Sequence, residues 1–395
     1  MTTKTIPTHD ELVQRASDMV PRLRERADAA EAARMVPVET VQEMHEAGFF
    51  RVLQPRQFGG YECAPHTFFA IQRELARGCP STAWIYGVIG IHQWQLALFP
   101  EQAQVDVWGE DDSTLISSSY MPVGKVEHTD GGVMLSGEWG FSSGCDHCTW
   151  VFLGGFVPKK DGDGPPDMVT FLVPRSDYEI VDDWFVSGLK ATGSKTIRVD
   201  NKFVPSHRIH KFSDGFRQEN PGNAVNDAPL FRLPFGQLFV RAVSTGAIGM
   251  LQGALDAYLE VQQNRVMRGS GDAVAQQAGA QHAVANAEAV IDELVLVLER
   301  NLDDMMAYVQ RGEKIPVDER VAWRYHSARV VTRCLEACEL LMNESGGAAI
   351  FLKNPINRYF QDLRAARAHY ANNPDKPGRN YGSVRMGLKN TDYFI

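Results

Sequence analysis

The stretch Leu135 to His147 reads LSGEWGFSSGCDH and gathers side chains that could do chemistry. Strand-like residues from Val133 to Trp139 run into an aromatic ring, Phe141, then two adjacent hydroxyls, Ser142 and Ser143, then a glycine. An aromatic face can lie against a flat cofactor ring, and a serine hydroxyl beside it can both donate and accept a hydrogen bond. A flavin asks for both at once: apolar contact on its ring and a polar partner at N5, which gains or loses a proton. The same residues also spell a strand ending in a polar turn. The local pattern leaves the two readings open.

His92 stands on an apolar run with Trp84 and Trp94. An imidazole, with a reference pKa of about 6.5, can take a proton at neutral pH. On such a run it can equally be a satisfied core residue. Cys145 and Cys148 form a C-x-x-C with His147 inside it, but no second pair lies at zinc-finger spacing, so no metal is expected. Cys334 and Cys338 fall on one face of an expected helix, in its core. Six cysteines in 395 residues are too sparse for a disulfide framework and suit a reducing cytoplasm. A net charge of −9 argues against nucleic-acid and anionic-membrane surfaces. The first residues, MTTKTIP, lack the apolar core of a secretory signal, and no apolar run reaches the roughly 18 residues of a membrane span.

The elements that must position these groups fall into three segments, 1–112, 113–212 and 213–395. The first reads as helices. Thr8 to Glu11 is a capping box, and Pro21 should kink or split the run that follows. A helix over Val38–Ala47 should stop at Gly48, and one over Pro65–Arg77 at Gly78. A buried helix should span Ser81–Leu98. The second segment alternates in short runs with turn signals, as a small antiparallel β domain, barrel-like or a sandwich. Its Asp130-Gly-Gly signals a hairpin, and Lys159–Asp167 a solvated loop. After a polar connector over Ser213–Asn226, helices are expected over Leu238–Met267, Ala275–Arg311, Val317–Ser345 and Asn357–Ala371. The breaks fall at Gly269–Asp272 and Gly312–Pro316, and four such helices predict an up-down bundle.

Helices, then a β domain, then a four-helix bundle is an α+β, mostly α, order that resembles the acyl-CoA dehydrogenase fold. Four separated stretches carry the likeness across nearly the whole chain: the crossing PRQFGG at Pro55–Gly60; GLKATGS at Gly188–Ser194 with Phe203-Val-Pro205; Tyr258 to Gly269 with Arg265; and Gly346-Gly347 followed by Pro355–Asp362. The dehydrogenases carry a catalytic glutamate, often in a Glu-Gly-Thr segment after the last signature. Here that region reads LRAARAHYANN, from Leu363 to Asn373, with His369 in it. In this the chain is similar to the flavin-dependent monooxygenases built on the fold, the oxygenase components of two-component aromatic hydroxylases. Ile116–Tyr120, Trp139–His147 and His92–Trp94 look like their counterparts in the secosteroid phenol hydroxylases, with the small-type p-hydroxyphenylacetate hydroxylases more distant.

The resemblance implies ortho-hydroxylation of a phenol with dioxygen and reduced FMN or FAD, through a flavin C4a-hydroperoxide. A separate NAD(P)H:flavin reductase would supply the reduced flavin, and the oxygenase would be a cytoplasmic homotetramer. It implies Ser142 or Ser143 at flavin N5, Phe141 on the ring face and Trp84 lining the flavin site. His92 becomes the general base, Ser118 a hydrogen-bond partner of the same phenol oxygen, and His369 the group on the oxygen side, protonated or donating. Arg265 would reach a neighbouring subunit's flavin, with Gly346 and Gly347 allowing close approach. Residues between Asn220 and Phe239 would form pocket wall. Attack on an indole or a heteroatom remains open, as does an acyl-CoA dehydrogenase, against which the missing Glu-Gly-Thr segment speaks.

Overall fold

A computed structural model describes residues 6–159, 164–266, 271 and 273–395. The first helices are α1 (His9–Ala33), α2 (Val38–Glu46), α3 (Pro65–Gly78), α4 (Pro80–Leu96) and α5 (Glu101–Trp108). The capping box is formed: Glu11 N–H donates to Thr8 Oγ1 at 3.2 Å, and Thr8 N–H to the Glu11 carboxylate at 2.8 Å. α1 runs unbroken through Pro21, against the expected interruption. Its stripe of Leu12, Ala16, Met19, Leu23 and Ala27 is buried, and that packing outweighs one missing backbone bond. Gly48, at φ +84°, ends the α2 turn in the left-handed region. Gly78 does something else. It is the last residue of α3, and a Cβ there would lie 2.7 Å from Leu23 Cβ, so it permits the close α1–α3 crossing. Every residue of α4 is buried.

The strands are β1 (Ile116–Thr129), β2 (Gly132–Ser142), β3 (Trp150–Val157), β4 (Asp167–Pro174), β5 (Glu179–Val181), β6 (Lys195–Pro205) and β7 (Ile209–Lys211). Their order is β5-β6-β2-β1-β3-β4-β7. The Asp130-Gly131 hairpin joins β1 to β2. The sheet is not wholly antiparallel as expected, because β3 pairs parallel with Ile116–Ser119 of β1. β6 occupies the free edge of β2, so the chain returns on the far side of β1, running in the same direction. β1 is therefore shared, its first half pairing with β3 and its second with β2. Leu135, Trp139, Leu153, Phe171 and Ile197 fill a separate β core. Of the loop Lys159–Asp167, residues 160–163 lie outside the described residues.

The remaining helices are α6 (Phe212–Arg217), α7 (Phe235–Ala242), α8 (Gly246–Gln262), α9 (Ala278–Gln310), α10 (Val317–Glu344), α11 (Pro355–Ala368) and α12 (Asp375–Arg385). Three expectations change. The connector Ser213–Asn226 contains most of α6 and a 3-10 turn over Pro221–Ala224. The helix expected over 238–267 is two helices, broken at Val243–Thr245. Side-chain amides satisfy the carbonyls freed there: Gln72 donates to Ala242 O at 2.6 Å, and Asn372 to Val243 O at 2.9 Å. The last expected helix stops at Ala368, since His369 is extended at ψ 136°, and α12 follows beyond it. The break at Gly312–Pro316 is present; that at Gly269–Asp272 lies mostly outside the described residues.

One hydrophobic core runs from α1, α3 and α4 into α8, α10 and α11, so the helices at both ends of the chain pack as one body. A smaller cluster, with Leu96, Phe99, Trp108, Ile116 and Phe152, joins it to the sheet. Phe235–Gln262 is apolar and long enough to cross a membrane by length and composition, but 94% of its most apolar window is buried within the fold.

Candidate active site

The end of β2 meets the buried face of α4. Trp84 Nε1–H donates to Ser143 Oγ at 3.1 Å, and Ser143 Oγ contacts Ser194 Oγ at 2.7 Å. Ser142 points elsewhere: its hydroxyl donates to Ser117 Oγ at 3.1 Å, on the sheet side. The two serines are adjacent in sequence but serve different surroundings, and Ser143 is the one joined to Trp84. Phe141, at φ +65°, is turned out and 67% exposed, with its ring 5.9 Å from Trp184. A large side chain held in the left-handed region is strained, and the pairs flanking it in β2 and β6 hold it there.

The segment Gly188–Ser194 supports this corner from below. Leu189, also left-handed at φ +51°, donates its N–H to the buried carboxyl of Asp362 on α11. Burial pushes that carboxyl up to about 7. Gly188 packs where a Cβ would meet Gln361 O at 2.2 Å. Gly144 N–H donates to Thr192 O at 2.8 Å, and Lys195 pairs with Asp146 at 2.9 Å. Thr192, Ser194 and Asp362 were not singled out from the sequence. The signal for Thr192 and Ser194 was the GLKATGS string itself, and Asp362 closes the Pro355–Asp362 stretch; Ser194 contacts Ser143, and Thr192 contacts Ser194.

His92 is fully buried on α4. Its Nδ1 lies 2.6 Å from Ile116 O, and a carbonyl can only accept, so Nδ1 carries the proton. Nε2 is then a bare acceptor, and it is buried with no hydrogen-bond partner. Burial lowers the imidazole to about 4, against the bond to Ile116. The near-neutral value expected from the sequence is thus corrected: His92 rests neutral, as an acceptor. Its ring lies 6.2 Å from that of Tyr120, whose hydroxyl donates to Gln95 and has the Ser118 side chain beside it. Tyr120 and Gln95 are further residues that the sequence reading left without a role.

His369 faces the same region from the end of α11. Its Nδ1 accepts Ala371 N–H at 3.1 Å, so in the neutral ring the proton is on Nε2. Burial, with the nearby Arg324 charge, lowers it to about 4. Of the two forms expected, protonated or donating, the neutral donor is present at pH 7. Its ring is 5.7 Å from Trp84 and 6.5 Å from Phe239. Phe239 is 4.9 Å from Tyr120, and Phe235 is 5.5 Å from it. The path His92–Tyr120–Phe239–His369–Trp84–Ser143 therefore borders one aromatic-walled region. Of the expected wall, Phe235 and Phe239 border it, whereas Asn220 and Arg232 line a separate surface cleft of about 450 Å³ with Asp214.

Arg265 stands apart, where α8 ends beside the end of α10. It donates to Ser345 O at 2.7 Å and to Gln262 at 3.2 Å. Gly346, at φ +65°, is so close that a Cβ would lie 3.5 Å from the guanidinium, while Gly347 opens on free space. Cys145 and Cys148 are buried thiols, Cys145 pushed up to about 12 by burial. Among the described residues, no three His, Cys, Asp or Glu groups are placed to hold a metal ion.

A buried bare acceptor, a ring N–H donor and a hydroxyl corner beside indole and phenyl faces suit a flat ring with a polar edge, which is what a flavin offers. Acyl-CoA dehydrogenase domains match in the expected order, the N-terminal domain over residues 7–110 and the C-terminal domain over 242–374. The oxygenase subunit HsaA of a flavin-dependent monooxygenase from Rhodococcus jostii is 40% identical, covering 97% of this chain and 100% of that protein. The oxygenase component of an FADH(2)-dependent resorcinol hydroxylase from Rhizobium sp. is 34% identical, covering 96% and 95%. The crystal structure of 3-HSA hydroxylase from Rhodococcus sp. RHA1 superposes with a TM-score of 0.93 at 40% identity, over 98% of this chain and 100% of that one. The chain belongs to the oxygenase components of the two-component flavin-dependent monooxygenases, which take reduced flavin from a separate reductase.

Proposed function

We propose that this enzyme hydroxylates a phenolic ring ortho to its hydroxyl, converting phenol, dioxygen and reduced flavin to catechol, water and oxidised flavin. The observation that carries the reading is the buried, unpartnered Nε2 of His92 at the Tyr120–Phe239 wall. A polar atom left bare in a core costs on the order of 1–3 kcal/mol, a cost relieved when a ligand donates to it. A phenol O–H is such a donor, on a ring that matches aromatic walls. Negative charge growing on the phenol oxygen raises the proton affinity of the imidazole, so His92 becomes a base only with substrate in place. Ser118, beside the Tyr120 hydroxyl, supplies the second contact to that oxygen.

Reduced FMN or FAD supplies the electrons that activate dioxygen. Ser143 is the residue for its N5, rather than Ser142, whose hydroxyl is committed to Ser117. Trp84 and the exposed Phe141 offer ring contacts. The Nε2–H of His369 donates to charge developing on oxygen. The aromatic wall excludes water, which would otherwise divert oxygen to hydrogen peroxide. Arg265, Gly346 and Gly347 serve the cofactor of a neighbouring subunit in a homotetramer; they share no element with the Ser143 corner of their own chain.

The test supplies reduced flavin and oxygen with a panel of phenols and identifies products by mass spectrometry and NMR. A catechol, with 18-O from dioxygen, is the expected product. Hydrogen peroxide alone with every phenol, or oxygenation only of indoles or heteroatoms, would sink the reading.

A further inference from the structure

The hydroxyls around Ser143 form a chain whose direction can be worked out proton by proton. Thr192 Oγ1–H donates to the carbonyl of Leu189 at 2.9 Å, which uses its only proton. The 2.7 Å contact between Thr192 and Ser194 must then be a bond donated by Ser194. Ser194 has now spent its proton too, so the 2.7 Å contact with Ser143 is donated by Ser143. Trp84 Nε1, a donor only, gives Ser143 Oγ its second bond, which takes one of its two lone pairs. Ser143 therefore has no proton left, and one lone pair remains unused. The chain's start is fixed, because Leu189 is held in the left-handed region by its N–H bond to Asp362. All four side chains are buried, so the chain's partners are drawn from the protein itself.

We propose that Thr192 and Ser194 are positioning residues that make Ser143 an obligate acceptor, so that the site prefers a flavin whose N5 carries hydrogen over the oxidised form. This rests on the reading of Ser143 as the N5 contact. Reduced flavin presents N5–H, a donor that matches the free lone pair. Oxidised flavin presents a bare N5, which sets lone pair against lone pair. The preference suits an enzyme that must capture reduced flavin and release it oxidised. It is written into residues about 50 positions away from the serine.

The experiment measures dissociation constants for oxidised and for anaerobically reduced FMN and FAD by titration, with the thermal midpoint recorded for each variant. One hydrogen bond gained or lost moves an affinity about tenfold. Ser194→Ala frees the Ser143 proton, which can then turn to a bare N5. Oxidised flavin should bind about tenfold tighter, and the preference for the reduced form should shrink by that factor. Thr192→Val, nearly isosteric, should do the same by letting Ser194 donate towards Ser143. Ser194→Thr, which keeps the hydroxyl, should restore the preference. Ser143→Ala should instead weaken reduced flavin alone. If Ser143→Ala has this effect while Ser194→Ala and Thr192→Val leave the ratio unchanged, the proposal is overturned and the N5 reading stands. If Ser143→Ala changes neither affinity, the N5 reading itself falls.

Discussion

The two histidines of the site, one on α4 and one at the end of α11, are chemical opposites made from the same side chain. Both are lowered to about 4 by burial, so both are neutral at pH 7. His92 meets a backbone carbonyl at Nδ1 and is left with a bare Nε2 acceptor. His369 meets a backbone N–H at Nδ1 and is left with an Nε2–H donor. The difference comes from position in an element. His92 lies mid-helix and reaches across to the first residue of β1. His369 has just left its helix, and its ring caps the backbone N–H of Ala371, two residues on. The main-chain atom each ring meets decides which is poised to take a proton and which to give one.

The largest test of this contrast is His92→Ala. Hydroxylation kcat/KM should fall by about 10²–10⁴, the usual worth of a positioned base, with flavin affinity unchanged. A loss below tenfold would remove His92 as the base. Next is the pH dependence of stability. Each of these imidazoles has a folded value depressed from 6.5 to about 4, so the unfolded chain binds more protons between those values. The stabilisation is complete above pH 6.5 and is lost as pH falls through 4. For His92 it is about 3 kcal/mol, and denaturant midpoints for His92→Gln should decline less steeply over that range than those of the parent.

His369→Ala should lower product yield per flavin oxidised and raise hydrogen peroxide, with kcat down about tenfold to a hundredfold, as for loss of one donor to developing oxygen charge. His369→Asn, which keeps an N–H, should recover part of it. Equal peroxide leakage in both variants would mean that the donor is unimportant. The smallest effect is expected from Trp84→Phe. It removes one N–H donor from Ser143 but leaves the direction of the hydroxyl chain intact, so flavin affinity should shift only a few-fold by titration.

Much of this was legible in the residues. Thr8 with Glu11 gave the start of α1, Gly48 the end of α2, and the largely apolar run Ser81–Leu98 the buried α4. These are local rules, decided by capping, left-handed backbone and periodicity. The misses share a cause. Pro21 did not interrupt α1, and 238–267 did break at Val243–Thr245, because partners far along the chain outweighed local preference. Gln72 and Asn372 supply the donors that make the second break tolerable. The parallel β1–β3 pair goes with β6 lying on the other edge of β2, a strand order that no single strand records.

The site divides in the same way. Residue types were enough to nominate His92, Ser142 and Ser143, and the long-range resemblance added Ser118 and His369 and gave all five their roles. Sequence could not choose between the adjacent serines, assign a tautomer to either histidine, or find Thr192 and Ser194. Those facts belong to hydrogen-bond partners and their directions. A side chain carries its donors and acceptors wherever it goes, but only the folded chain decides which are spent on the protein and which are left for a ligand.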